Sequence, residues 1–365
     1  MAARTALRRT LRPLRSAIIP SEQQLHLARP FSTTLPSQAA NPSSSSSSSS
    51  TPEYAIPNPA RPTHFGFETV TEGEKRERVA GVFTSVAESY DRMNDLMSFG
   101  WHRIWKDHFV ASLNPGFSPL TSDTDPRGPQ HILDIAGGTG DIAFRMLHTA
   151  HVLNANPSVR VTMSDINRAM LTVGKQRSAE LPASQQAALS FVEANAEDLT
   201  RTRPLHPYPS PAEPTTHDAH THKPEQAFFD PATATGSIPD ASVDLYTVAF
   251  GIRNFSNIPA ALREAHRVLK PGGVFACLEF SKADKHPLFN SLYKEWSFRA
   301  IPLIGQLVAA DRDSYQYLVE SIERFPSQTE FRDMIVDAGF VVAGEGYEDL
   351  TGGVAAIHKG MKPRA

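Results

Sequence analysis

The sequence has few of the features that stabilise or anchor a chain without a packed core. Among 365 residues there is one cysteine, Cys277, which excludes an internal disulfide framework and a thiolate metal cluster. No apolar run reaches the roughly 18 residues needed to cross a bilayer, and the longest apolar-rich stretch, 300–310, is interrupted by Pro302 and Gly305. The sequence therefore predicts a globular protein held together by apolar packing, without a transmembrane span.

Acidic residues are also missing from the N-terminus, where the first acid is Glu22. Residues 1–50 carry a net charge of +5 and the whole chain carries −3, so the remainder carries −8. An acidic body argues against nucleic acid as the main partner. The arginines before residue 30 alternate with leucines at helical spacing, which favours a mitochondrial transit peptide at 1–31 over a secretory signal. A basic tail without a targeting role is the alternative.

Composition then divides the rest of the chain. Residues 32–64, with eight consecutive serines, are predicted to be a disordered low-complexity linker. A single folded domain is predicted at 65–365, with surface loop insertions at 118–130 and 200–236. Three histidines of the second insertion lie among prolines and threonines, and we expect no metal site there. These histidines are His217, His220 and His222.

Within this domain the apolar periodicity alternates between strands and helices. Strands are predicted at 131–136, 159–165, 189–193, 243–249 and 274–279, and a closing pair at 340–348 and 353–359. Helices are predicted at 142–153, 168–181, 259–269 and 331–338. This alternation predicts an α/β fold with a mainly parallel sheet and a ligand crevice at the carboxyl ends of its strands.

Three motifs fall at those strand ends. The glycine-rich loop at 134–141 follows the first strand and allows a ligand to approach the backbone closely. Asp165 ends the next strand, where it can accept hydrogen bonds from ribose hydroxyls. Asn195 follows the third strand and either meets an adenine edge or shapes a turn. The loop alone does not exclude a nicotinamide cofactor, because Ala143 can replace the third glycine of a dinucleotide fingerprint.

Six blocks together resemble the ubiquinone/menaquinone biosynthesis C-methyltransferase family. They lie in order at 83–105, 133–141, 165–167, 194–197, 249–254 and 267–273. The resemblance implies a class I S-adenosylmethionine-dependent methyltransferase, with a Rossmann-like seven-stranded sheet whose last strand is antiparallel. It also implies S-adenosyl-L-methionine as the cofactor. The implied cofactor-binding residues are Gly138, Thr139, Gly140, Asp165, Asn195 and Ala196. Ala249 stands where relatives often have a serine that contacts the cofactor, and alanine has no hydroxyl group for that contact.

The resemblance further implies C-methylation of a ring carbon of a polyprenylated methoxy-benzoquinol in ubiquinone (coenzyme Q) biosynthesis. Arg253 is the first candidate for stabilising the phenolate, and a structural arginine paired with an acid is the alternative. Asn254 either positions the second ring oxygen or caps the following helix. Tyr90 either closes the sulfonium region or belongs to the core. His102 is a conventional base that ranks below Arg253.

Other expectations concern surroundings and competing functions. The apolar segment 287–308 fits contact with the polyprenyl tail or membrane, a dimer surface or ordinary core. The resemblance implies peripheral contact with the matrix side of the mitochondrial inner membrane and a complex with other coenzyme Q biosynthesis proteins; a homodimer is compatible with it. The alternatives are a largely structural methyltransferase-fold subunit of that complex, and another oxidoreductase or O-methyltransferase.

Overall fold

The computed structural model describes residues 58–86, 94–95, 98–117, 128–205, 229, 232, 234–284, 290–291, 295–303, 306 and 312–364. The strands are β1 (Pro62–Phe65), β2 (Glu68–Thr71), β3 (Gln130–Ile135), β4 (Val159–Asp165), β5 (Leu189–Asn195), β6 (Asp198–Pro204), β7 (Val243–Ala249), β8 (Leu269–Phe280), β9 (Tyr347–Leu350) and β10 (Ala355–Met361). The helices are α1 (Glu72–Val86), α2 (Trp101–Leu113), α3 (Asp141–His148), α4 (Arg168–Ser178), α5 (Ala183–Gln186), α6 (Ile258–Val268), α7 (Arg312–Arg324) and α8 (Gln328–Asp337).

Strands β3 to β10 form one sheet in the order β6-β5-β4-β3-β7-β8-β10-β9. The five central strands pair in parallel, and β10 pairs antiparallel with β8. Neighbouring residues of a strand point to opposite faces, and accordingly Ile132 and Leu133 of β3 belong to two different apolar clusters. The predicted α/β fold with an antiparallel last strand is therefore confirmed.

The sheet has one strand more than the seven that were predicted. Strand β6 pairs antiparallel with β5 at the sheet edge, with a bulge between Ala194 and Asn195. An edge strand is exposed along one side, and the sequence of β6, DLTRTRP, is accordingly polar. Its composition is therefore that of a loop. The predicted insertion at 200–236 accordingly begins inside β6, and Gly236 donates a backbone hydrogen bond to Thr202.

The predicted domain start at Phe65 also needs correction. Strands β1 and β2 form an antiparallel hairpin that begins at Pro62, inside the predicted linker 32–64. The other predicted insertion, 118–130, ends one residue too late because Gln130 begins β3. The predicted transit peptide at 1–31 lies outside the described residues.

Local sequence explains several helix ends. Asn257 caps α6 by accepting a hydrogen bond from the Ala260 amide, and so the cap is not Asn254. The predicted helix 142–153 is α3 followed by a π-helical turn, Thr149–Leu153. Helix α7 was not predicted. Among the described residues, no helix is both long enough and apolar enough to cross a bilayer.

Candidate functional site

A cleft opens at the carboxyl ends of β3, β4, β5 and β7, and its space, together with the open solvent at its mouth, is about 1070 Å³. Five of the predicted cofactor-binding residues line it, namely Gly138, Thr139, Asp165, Asn195 and Ala196. Asn254 and Ala249 line it too. The crevice predicted at the strand ends is thus present, and it brings most of the predicted site residues together.

The glycine-rich loop turns directly from β3 into α3. Gly138 has φ of +53° and Gly140 has φ of +92°, in the left-handed region that favours glycine. A Cβ atom on Gly140 would lie 2.4 Å from the ring of Phe144, so a side chain there would displace that ring. Gly140 shapes the loop but is not among the residues that line the cleft.

Asp165 is held at the end of β4 by backbone amides. Its carboxylate accepts hydrogen bonds from Gly138 N at 3.0 Å and from Asn167 N at 2.8 Å. Burial raises the pKa of Asp165 to about 6, although these hydrogen bonds lower it. The side-chain Oδ1 of Asn195 accepts a hydrogen bond from the Glu197 amide at 3.0 Å, and this bond shapes the turn. Asn195 also lines the cleft.

Asp134 is an acid that sequence reasoning passed over as a ligand. It is buried inside the otherwise apolar strand β3 and lines the cleft. Its Oδ1 accepts a hydrogen bond from Thr247 at 2.7 Å, whereas its Oδ2 has no partner among the described residues. Burial raises the pKa of Asp134 to about 7. A carboxylate within an apolar strand was the available signal.

Asn254 is presented by a one-turn 3₁₀ helix, Ile252–Asn254, after β7. Its Oδ1 accepts a hydrogen bond from the Tyr317 hydroxyl at 3.0 Å. Burial raises the pKa of Tyr317, so the phenol stays protonated and remains a donor. The buried Nδ2 of Asn254 has no partner in the described part of the chain. Tyr317 therefore orients the amide so that its donor group is available.

Arg253 does not line the cleft, although the sequence made it the first catalytic candidate. Its buried guanidinium pairs with Glu279 at 2.7 Å and donates to the Phe250 carbonyl at 2.6 Å. Its Nε donates to Ser321 at 3.3 Å, and its Nη2 is buried without a described partner. These contacts agree with the alternative reading of a structural arginine paired with an acid.

His102, another candidate, does not line the cleft. His102 is buried away from the cleft, with its Nε2 2.8 Å from Asp95. Burial lowers the pKa of His102. Tyr90, like His217, His220 and His222, lies outside the described residues. Within the described residues no group of three or more His, Cys, Asp or Glu side chains is arranged to hold a metal ion.

The N-terminal elements cover one side of the cleft. Arg76 of α1 lines the cleft, and its buried Nε has no described partner. Lys75 donates to the Phe255 carbonyl at 2.8 Å, which ties α1 to the loop after β7. Phe65 of β1 stacks on Tyr317 with ring centroids 4.0 Å apart. The hairpin and α1 therefore contact both the loop and the helix that support Asn254.

Comparison with known proteins identifies the family of this chain. Residues 71–204 and 225–362 match the ubiE/COQ5 methyltransferase family. The mitochondrial 2-methoxy-6-polyprenyl-1,4-benzoquinol methylase of Schizosaccharomyces pombe is 48% identical over 82% of this chain and 84% of its own length. The Homo sapiens protein of the same name is 43% identical over 83% and 85%. The ubiquinone/menaquinone biosynthesis C-methyltransferase UbiE of Brucella suis is 45% identical over 82% and 90%.

Proposed function

This chain belongs to the ubiE/COQ5 methyltransferase family, and we propose that it methylates a ring carbon of 2-methoxy-6-polyprenyl-1,4-benzoquinol. Membership makes it an S-adenosylmethionine-dependent C-methyltransferase. The substrate is taken from the names of relatives that are 43–48% identical over more than four fifths of this chain. The observation that carries the proposal is a single cleft bounded by Asp165, Asn195 and Asn254.

The residues around the cleft fit S-adenosylmethionine. From the end of β5 to the end of β7 there are three interstrand spacings, about 14 Å, which suits an adenosine joined to an amino acid. Asp165 would hold the ribose, and Asn195 with Ala196 would meet the adenine. The unpartnered Oδ2 of Asp134 suits a donor such as the α-ammonium group. Gly138 and Thr139 would lie along the amino-acid half.

The sulfonium of the bound cofactor supplies an electrophilic methyl group, so the protein must align the quinol and raise electron density on its ring. We assign the second task to Asn254, because its Nδ2 can donate to a ring oxygen on which negative charge develops. Tyr317 keeps that donor pointing away from its own hydroxyl. As the new carbon–carbon bond forms, the bond between the methyl group and the sulfonium sulfur would break, the uncharged thioether would leave, and the proton on the methylated ring carbon would pass to water, which restores aromaticity.

Arg253 supports this loop from behind. By pairing with Glu279 and donating to the Phe250 carbonyl, it joins the 3₁₀ helix to β8. We therefore assign it the role of a positioning residue. The roles of Arg253 in phenolate stabilisation and of Tyr90 at the sulfonium stay predictions.

The test is a methylation assay on the full chain. A short-tailed methoxy-benzoquinol, kept reduced, is incubated with S-adenosylmethionine carrying a deuterated methyl group, and mass spectrometry locates the label. We expect one labelled methyl on a ring carbon, and loss of product with Asn254→Ala while cofactor affinity is kept. Cofactor binding without any product would instead favour the structural-subunit alternative.

The cellular setting forms a further part of the proposal. Relatives from three kingdoms of eukaryotes are named mitochondrial, and the arginine-rich 1–31 suits import. We propose peripheral contact with the matrix side of the inner membrane, because a polyprenyl substrate resides in lipid. Complex formation with other coenzyme Q biosynthesis proteins and a homodimer belong to the same proposal. Of segment 287–308, the exposed Leu303 is the described residue best suited to apolar contact.

A further inference from the structure

Lys106 is a buried cation that lines the cleft, and the function proposed above assigns it no role. It lies on α2 and its side chain is 4% exposed. Its Nζ donates to Asp141 at 2.7 Å and lies 5.8 Å from the ring centroid of Phe250. Lys106, Asp141 and Phe250 all line the cleft. Burial of an ammonium group needs compensation, and one carboxylate uses only one of its three donors.

The position of Lys106 assigns it to one end of the cleft. Phe250 follows β7, whereas Asn195 ends β5 on the far side of β4 and β3. If adenosine lies at Asn195 and Asp165, the amino-acid half of the cofactor extends toward Lys106. Arg76 is the other cation among the described residues that line the cleft; burial raises the pKa of Glu197, and the charge of Arg76 lowers it. Glu197 is next to Ala196, which lies on the adenine side. Lys106 is thus the cation of the amino-acid end.

That end of the cleft is otherwise acidic. Asp134 and Asp141 both line it, and an α-carboxylate brought there would meet two carboxyl groups. Burial by itself would raise the pKa of Asp141, but Lys106 and then Arg145 lower it to about 2, so it is ionised. A carboxylate is therefore accepted at this end only where a cation compensates it.

We infer that Lys106 binds the α-carboxylate of the cofactor, so that the site selects a methyl donor with an intact amino-acid end. Asp141 holds the ammonium group of Lys106 in place with one hydrogen bond and leaves two donors available. Asp141 is also the first residue of α3, where the positive end of the helix dipole adds to the attraction for an anion.

The test compares two ligands by isothermal titration calorimetry on the full chain. One is S-adenosylmethionine and the other is its decarboxylated analogue, which lacks only the carboxylate. Lys106→Met should weaken S-adenosylmethionine binding by about 10- to 100-fold, because the charge-assisted hydrogen bonds to the carboxylate are lost. Binding of the analogue should change by less than about threefold. Lys106→Arg, which keeps the charge, should still bind S-adenosylmethionine in preference to the analogue.

Arg145→Met is the matched control. Arg145 also bonds Asp141, at 2.9 Å, but it does not line the cleft, so this variant should bind both ligands as the wild type does. Equal weakening of both ligands by Lys106→Met, or of neither, would overturn the inference. If Lys106→Met does not fold, two other results would overturn the inference. One is that Lys106→Arg loses the preference for S-adenosylmethionine over the analogue, and the other is that the wild type shows no such preference.

The inference rests on the proposed function because it takes S-adenosylmethionine as the ligand. The two fail in different ways. A wild-type chain that binds no S-adenosylmethionine would refute the proposed function, whereas normal binding that Lys106→Met leaves unchanged would refute only the role of Lys106.

Discussion

The pair formed by Arg253 and Glu279 allows a quantitative test of what the arginine does. The guanidinium is 0% exposed and the carboxylate 2% exposed, so removing either partner leaves a charge in the interior. We expect Arg253→Met and Glu279→Leu each to lower the free energy of unfolding by about 3–5 kcal/mol. The double variant should lose at least about 2 kcal/mol less free energy of unfolding than the two single variants lose together, because it buries no unpaired charge.

The assay is urea unfolding followed by tryptophan fluorescence and far-ultraviolet circular dichroism, with all four proteins compared. Cofactor affinity is measured on the same samples, and it should be retained in the double variant because neither residue lines the cleft. Costs below about 1 kcal/mol for the single variants, or strictly additive costs, would refute the reasoning. Methylation by the double variant at the wild-type rate would show that Arg253 is dispensable even for positioning.

Three further predictions follow. S-Adenosylmethionine affinity should fall as pH decreases through about 6, because protonation removes the ribose acceptor on Asp165; Asp165→Asn should bind weakly at every pH, and a pH-independent wild type would contradict this. The raised pKa of Asp134 means that ligand-free stability falls as pH rises from about 4 to about 7, so Asp134→Asn should melt above the wild type near pH 8 and lose this advantage near pH 4. Tyr317→Phe should reduce turnover, by about 3- to 10-fold, with unchanged cofactor affinity, since Asn254 loses the bond that orients it; equal loss in binding would point to a folding defect instead.

The sequence predicted those parts of the site that depend on local backbone geometry. Gly138 and Asp165 lie at strand ends, and a strand that ends in glycines or in an acid can be identified without knowing its neighbours. Tyr317 is different, since it lies 63 positions after Asn254 in the sequence and meets it only in the folded chain. Lys106 likewise reaches the cleft through the packing of α2 against α3. Long-range contacts of this kind leave no periodic signal.

Two of the differences between the sequence predictions and the structure have the same origin. Arg253 follows β7, and that position alone made it a candidate for the cleft, but a buried acid on the adjacent strand β8 attracts it instead. Strand β6 is too polar to be distinguished from a loop, because only its pairing with β5 makes it a strand. In both cases the neighbouring strand decided the outcome.

Phe65 stacks on Tyr317, and the first strand of the described chain is therefore part of the wall behind Asn254. Asn58 and Arg61 also bond Glu72 at the start of α1. If the N-terminus is processed, the cut must therefore lie before Asn58, because a cut a few residues later would remove the strand that stacks on Tyr317. The hairpin thus sets how far an N-terminal truncation can extend before it removes a support of Asn254.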